Sequence, residues 1–231
     1  MALFARLRQR FSRRATLPTL GSRRVSPGSR PGDAPHEDAL RAELQRDPNN
    51  IEAFDALVAM IRRHTAGMDA DADPLHAPAE DQDLKKEQAD AATWAAAEEF
   101  AGHTRAWYPL IELARLSLDD DLEAATRRLA TAADRDLTGR ALAAGIALLR
   151  GADLPVDALG LGVGHWRGTA HVPEVGRQLV LAALDADRIF DARRYCDALH
   201  AHPDAQAAAA VLAEVEPLVE AAEQRTAASN S

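Results

Sequence analysis

The densest chemistry in the chain lies in His165-Trp166-Arg167-Gly168-Thr169-Ala170-His171. Two imidazoles, an indole and a guanidinium this close together could line a pocket for a ligand or peptide. His165, Trp166, Arg167 and His171 are therefore the expected partner-binding residues. A plainer use of the same residues has Trp166 plugging a gap between helices, with half-exposed histidines beside it. Catalysis by this loop is the least expected of its uses.

Other stretches carry partial motifs. Asp69, Asp71, Asp73 and Glu80 occupy the first, third, fifth and twelfth positions of a calcium-binding loop, but the sixth holds Pro74 where the sharp turn needs glycine. An acidic, solvated linker is the expectation there. Gly160, Gly162 and Gly164 alternate in A-L-G-L-G-V-G-H-W. A phosphate cradle would need a strand before them and a helix opening after them. They fall inside a predicted helix, so a close helix crossing or a local break is expected, with anion binding beside Arg167 as the alternative. His200 and His202 offer two imidazoles without evident further ligands. Cys196, the sole cysteine, reads as a small buried apolar residue. Trp94, Phe100, Trp107 and Tyr108 cluster across one helix junction and read as core. No G-x-S-x-G, H-E-x-x-H, P-loop or dinucleotide fingerprint occurs. Neither a catalytic residue, a metal site nor a cofactor is expected.

Composition says which elements hold these residues. Among 231 residues alanine supplies 51 and leucine 28, against 15 valines and isoleucines together. Helices favour the first pair and strands the second, so the fold is expected to be all-α. A single cysteine excludes an internal disulfide framework. The net charge of −9 divides unevenly: residues 1–32 hold eight arginines and no acid, and the remainder carries 19 basic and 36 acidic residues, a balance of −17. Such a body repels phosphate backbones and suits a partner with a basic segment. Nucleic-acid binding by the main domain is not expected.

The basic start behaves differently. On a helical wheel Leu3, Phe4, Leu7 and Phe11 form an apolar stripe, with Arg8 and Arg14 flanking it. Residues 1–15 are thus expected to be a basic amphipathic segment, docking on an anionic membrane surface or in a partner's groove. A presequence and an unstructured basic tail are the alternatives. Residues 16–36, rich in proline, glycine and serine, read as a disordered, flexible linker. Thr16 and Ser26, each following paired arginines and one further residue, resemble basophilic-kinase sites, where a phosphate would offset the leader's charge.

A repeat organises the rest. The pattern D-x-x-apolar-acid-Ala occurs at Asp119–Ala124, Asp153–Ala158 and Asp187–Ala192, with aspartates and alanines 34 residues apart. Each copy lies between helical stretches. Its aspartate suits a left-handed helix exit or an N-cap, and its alanine a close helix approach. A helix pair of period 34 resembles the tetratricopeptide repeat. The stretch A-D-R-I-F-D-A-R-R-Y, ending at Tyr195, is similar to that family's turn into its second helix, with Asp187 where glycine is usual. In D-P-N-N-I-E-A-F-D-A-L, residues 47–57, Pro48 would close a repeat while Phe54 and Leu57 take first-helix packing positions. Val58 and Ile61 depart from the family's small residue and tyrosine.

Periodicity and breakers predict helices over 37–46, 51–65, 80–102, 107–118, 121–135, 138–150, 155–165, 172–185, 188–201 and 204–225. Pro217 is expected to kink or divide the last, which should face Ala207–Ala210 inward and glutamates outward. The expected architecture is an array of antiparallel helix pairs over 37–225, a tetratricopeptide-like solenoid, followed by a disordered tail at 226–231. The resemblance implies a non-catalytic adaptor binding a protein or peptide. A peripheral membrane protein anchored by residues 3–14 is the alternative, and an enzyme using the His165–His171 loop the third. A cytoplasmic location, at a membrane periphery if the leader anchors, goes with either of the first two.

Overall fold

In the computed structural model the described residues are 34–67 and 79–229, and they form ten helices and no strand. These are α1 Ala34–Arg46, α2 Ile51–Gly67, α3 Ala79–Ala101, α4 Tyr108–Arg115, α5 Leu122–Arg135, α6 Arg140–Gly151, α7 Pro155–His165, α8 Pro173–Asp185, α9 Ile189–His200 and α10 Ala205–Ser229. The chain is all-α. The basic segment with Leu3, Phe4, Leu7, Arg8, Phe11 and Arg14, nearly all of the linker, and most of the acidic 69–80 stretch lie outside the described residues.

Local chemistry sets the helix ends. Asn50 Oδ1 accepts the Ala53 N–H at 3.0 Å, Asp121 Oδ1 that of Ala124 at 2.9 Å, and Asp204 Oδ1 that of Ala207 at 3.0 Å. Each satisfies a first-turn N–H that has no partner within its helix. Pro109, Pro155 and Pro173 sit in first turns, where a missing N–H is harmless. Asp153 and Asp187 adopt left-handed φ values of 57° and 56°. Behind them the Leu154 N–H reaches the Leu149 carbonyl at 3.0 Å and the Arg188 N–H the Ala183 carbonyl at 2.7 Å. These six-to-one bonds are Schellman exits with aspartate in the usual glycine place.

The first copy of the repeat is built differently. Asp119 lies in a longer turn, and Asp121 does the capping. Helices α5, α7 and α9 begin at Leu122, Pro155 and Ile189, so the structural period is 33 and then 34. The buried alanines are Ala125, Ala158 and Ala192, whereas Ala124 is only half-buried. The 34-residue match at Ala124 is thus corrected by one residue, absorbed in the extended turn.

Consecutive helices pack on one another, and so do α4 with α6, α6 with α8, α8 with α10, and α5 with α7. Phe54, Leu57, Phe100, Leu129, Leu142, Ile146, Leu179 and Leu199 are fully buried between them. Each such side chain stabilises the fold by about 1.5–3 kcal/mol relative to exposure. Glycines bring some helices closer than any side chain would allow. A Cβ on Gly162 of α7 would collide with Leu179 Cδ2, and one on Gly176 of α8 would stand 2.8 Å from Leu199 Cγ.

The C-terminal end departs in part from the expectation. Helix α10 runs through Pro217 undivided and continues to Ser229, taking in the first part of the expected tail. Both Pro217 and Ala213, whose carbonyl the proline cannot use, are exposed, so the missing hydrogen bond leaves no buried group. The inward face is Ala208, Leu212, Val215, Val219 and Ala222, leaving Ala209 and Ala210 exposed. The glutamates lie outside the core as expected, with Glu214 and Glu220 exposed and Glu216 and Glu223 half-buried, and three of them are paired. Glu214 meets Arg177 at 2.9 Å, Glu216 meets His200 at 2.8 Å, and Glu223 holds Arg193 through bonds of 2.9 and 2.7 Å.

Candidate functional site

The loops joining each pair of helices to the next run along one edge of the molecule, and hydrogen bonds tie each to its neighbour. Asn49, in the α1–α2 loop, donates from Nδ2 to the Arg105 carbonyl at 2.8 Å. Its Oδ1 accepts the N–H groups of Trp107 and Tyr108 at 2.7 and 3.1 Å. Arg135, closing α5, donates to the carbonyls of Ala101, His103 and Ala106 at 2.8–3.1 Å. The Val172 N–H donates to the Thr138 carbonyl at 2.9 Å, and His202 Nε2 donates to the His171 carbonyl at 2.9 Å.

The four residues expected to bind a partner sit on this edge, where the charges of Arg167 and His165 both act on His171, but each side chain has a different environment. His171 is 5% exposed, with its Cβ against Gly139, whose φ is +86°. Its Nδ1 lies 3.4 Å from the Arg167 N–H. Burial, reinforced by the Arg167 charge and opposed by Asp136, holds the His171 pKa below its ordinary 6.5. This placement corrects the expectation for His171: it is a buried strut. Trp166 caps α7 and meets Tyr195 edge to face at 5.5 Å, closing the gap between α7 and α9 as an indole plug would. His165 Nδ1 faces Asp134 Oδ1 at 3.1 Å. Arg167 alone among them is exposed.

The remaining sequence candidates separate as well. His200 pairs with Glu216 while His202 is buried in the loop edge, with its Nδ1 accepting the Asp204 N–H at 3.0 Å. The two imidazoles serve different neighbours. Among the described residues no group of three or more His, Cys, Asp or Glu could hold a metal ion. Gly162 makes the close crossing described above, while Gly160 and Gly164 face open space on an unbroken helix. Cys196 is fully buried, and burial pushes its thiol up to about 11 against the lowering influence of Arg193. Phe100 is core; Tyr108 meets Phe54 and Trp107 edge to face at 5.4 and 5.9 Å; the Arg128 guanidinium lies 5.2 Å from the Trp94 ring. No helix among the described residues is long and apolar enough to cross a membrane.

A more open surface lies at the far edge, where α8 turns into α9 beside α10. Leu181, Leu184, Ile189, Leu218 and Ala221 line a groove of about 620 Å³, with Asp185, Asp187 and Arg225 at its rim. Leu218 is 47% exposed, and Phe190, at the adjoining turn, is 77% exposed. A lining of apolar side chains interspersed with two carboxylates and one guanidinium fits a segment that carries both apolar and basic residues. Sequence reasoning missed this groove, although Phe190 carried a signal: the same helix position holds Glu123 in α5. The chain matches no family model, no curated protein and no solved structure.

Proposed function

We propose that this chain is a non-catalytic protein-interaction module, a tetratricopeptide-like array of helix pairs whose α8–α10 groove holds a segment with apolar and basic residues. The array reading rests on the packing of alternate helices, α4 on α6 on α8 on α10, and on the paired Schellman exits at Asp153 and Asp187. The interaction reading rests on one observation above the others: Leu218 and Phe190 remain exposed beside an open groove whose lining mixes Leu181, Leu184 and Ile189 with Asp185, Asp187 and Arg225. Isolated exposed apolar residues are ordinary, but a contiguous set beside carboxylates favours a partner of defined chemistry.

Peptide display against the full chain tests this reading. Enriched peptides should pair apolar residues at helical spacing with arginine or lysine. Their affinity should fall severalfold from low to physiological salt, and Leu218→Glu should weaken them about tenfold or more. Binding that ignores both salt and Leu218→Glu, or no enrichment at all, would remove the groove from consideration.

A further inference from the structure

The arginines of the described residues fall into two groups. Most are occupied, by a carboxylate as at Arg150 and Arg193, a hydroxyl as at Arg62, or carbonyls as at Arg135. Arg105, Arg140 and Arg167 are exposed, and among the described residues their guanidiniums make no hydrogen bond, ion pair or ring contact. After residue 32 the chain has 36 acidic side chains against 19 basic ones. Three unengaged guanidiniums therefore do not follow from a shortage of acid.

Their places in the fold are equivalent. Arg105 stands in the α3–α4 loop, Arg140 opens α6 directly after the α5–α6 loop, and Arg167 stands in the α7–α8 loop. One falls at each of three successive junctions between helix pairs. The junctions are neighbours: Arg135 binds the carbonyls of His103 and Ala106, and the Val172 N–H binds that of Thr138. Carboxylates beside them are mostly engaged. Asp136 is buried and accepts the Thr138 and Ala141 N–H groups at 3.0 and 2.8 Å, Asp134 faces His165, and Glu174 accepts from Arg177 and Gln178. In the helix turns flanking the three junctions, Glu98 is the exposed carboxylate left without a partner among the described residues. The middle junction also carries Leu137, which is 71% exposed.

Because α4 packs on α6 and α6 on α8, successive junctions are offset by about 8–10 Å. A chain in the polyproline II form repeats its side-chain direction every third residue, over about 9 Å. From the row of unengaged guanidiniums we infer that this edge is a docking surface for an extended acidic protein segment. The segment carries Asp or Glu at every third residue and an apolar side chain that covers Leu137. Each guanidinium presents paired N–H donors that match a carboxylate. Exposed ion pairs are individually weak, so the three act together and lose their hold in salt. A lipid surface would meet the same charges without reading their spacing. The α8–α10 groove suits a basic segment, so this surface is of opposite sign and stands or falls separately.

Fluorescence anisotropy of the full chain tests the inference. The probe is a labelled peptide of repeated Glu-Pro-Pro units with a leucine beside its central glutamate. A second peptide of the same composition has its glutamates contiguous. At low salt the spaced peptide should bind severalfold more tightly than the contiguous one. Arg105→Glu, Arg140→Glu and Arg167→Glu should each weaken it about threefold to tenfold, and Leu137→Ser should weaken it as well. Arg63→Glu makes the same change in net charge about three turns along α2 and should leave binding unchanged. The arginines of residues 1–32 are present in every variant, so their contribution cancels. Circular dichroism should show the same helix content throughout, since all the altered side chains are exposed. Absence of binding, equal affinity for the two peptides, or an equal loss with Arg63→Glu overturns the proposal. So does a loss confined to vesicles of phosphatidylserine and phosphatidylcholine, which would assign the three arginines to a lipid surface.

Discussion

The close approach of α8 and α9 at Gly176 makes a prediction whose sign depends on geometry alone. Adding a Cβ there would place it 2.6, 2.8 and 3.1 Å from Cδ2, Cγ and Cδ1 of Leu199. All three atoms belong to one side chain that is 1% exposed, so it cannot swing into solvent. Either Leu199 leaves its rotamer or the helices separate, an overpacking cost of about 1–3 kcal/mol. Alanine regains about 1 kcal/mol of helix propensity, so Gly176→Ala should lose ~1 kcal/mol net. Gly151, in the last turn of α6, has nothing within 4 Å of its absent Cβ. Gly151→Ala should therefore gain a few tenths to about 1 kcal/mol. The same chemical change at two helical glycines should split the variants by ~1–2 kcal/mol, about 2–8 °C in Tm for a domain of this size. Urea titrations followed by circular dichroism measure the difference directly. Equal midpoints, or Gly176→Ala the more stable of the two, would mean that α8 and α9 do not approach as described.

Other substitutions and conditions probe the loop edge and the core. Asn49→Ala leaves the Arg105 carbonyl and the Trp107 and Tyr108 N–H groups without their partner, and should cost about 1–3 kcal/mol by denaturant titration. Since burial lowers the His171 pKa, the folded chain favours the neutral ring. Its contribution is complete above the ordinary 6.5 and is lost as pH falls below that value. The Tm advantage of the native chain over His171→Gln should accordingly shrink between neutral pH and pH 5. Cys196, with its thiol raised to about 11, should resist iodoacetamide in the native chain and react once urea unfolds it. Rapid native labelling would show that α9 opens locally.

Helix positions were the most legible part of the molecule, because their punctuation is chemical. Prolines at 109, 155 and 173 and aspartates at 121, 153 and 187 mark ends through rules that act over a few residues. What a side chain faces across the array was less legible, since it depends on the turns between helices. One extra residue before Asp121 shifts the buried alanine from Ala124 to Ala125. His171 looked like a surface imidazole beside Trp166 and Arg167, yet the left-handed Gly139 of the preceding loop makes room to bury it. The three alternating glycines look identical in sequence, and only Gly162 meets another helix. The α8–α10 groove joins residues some 40 positions apart and leaves no local pattern.

The two edges of the molecule are fastened by different kinds of bond. On the loop edge most links use backbone groups, and the buried His202 takes part, so ions in solution reach them poorly. On the opposite edge α6 holds α8 through Arg150, which meets Asp185 at 2.7 Å in a partly exposed ion pair. Salt should therefore act on the molecule as on a book bound along one spine: the bound edge keeps its spacing while the free edge fans open. The groove lies on that free edge, with Asp185 in its rim. Ionic strength would then alter the width of the groove as well as its field, so that fit and attraction change together when a cell's ionic strength changes.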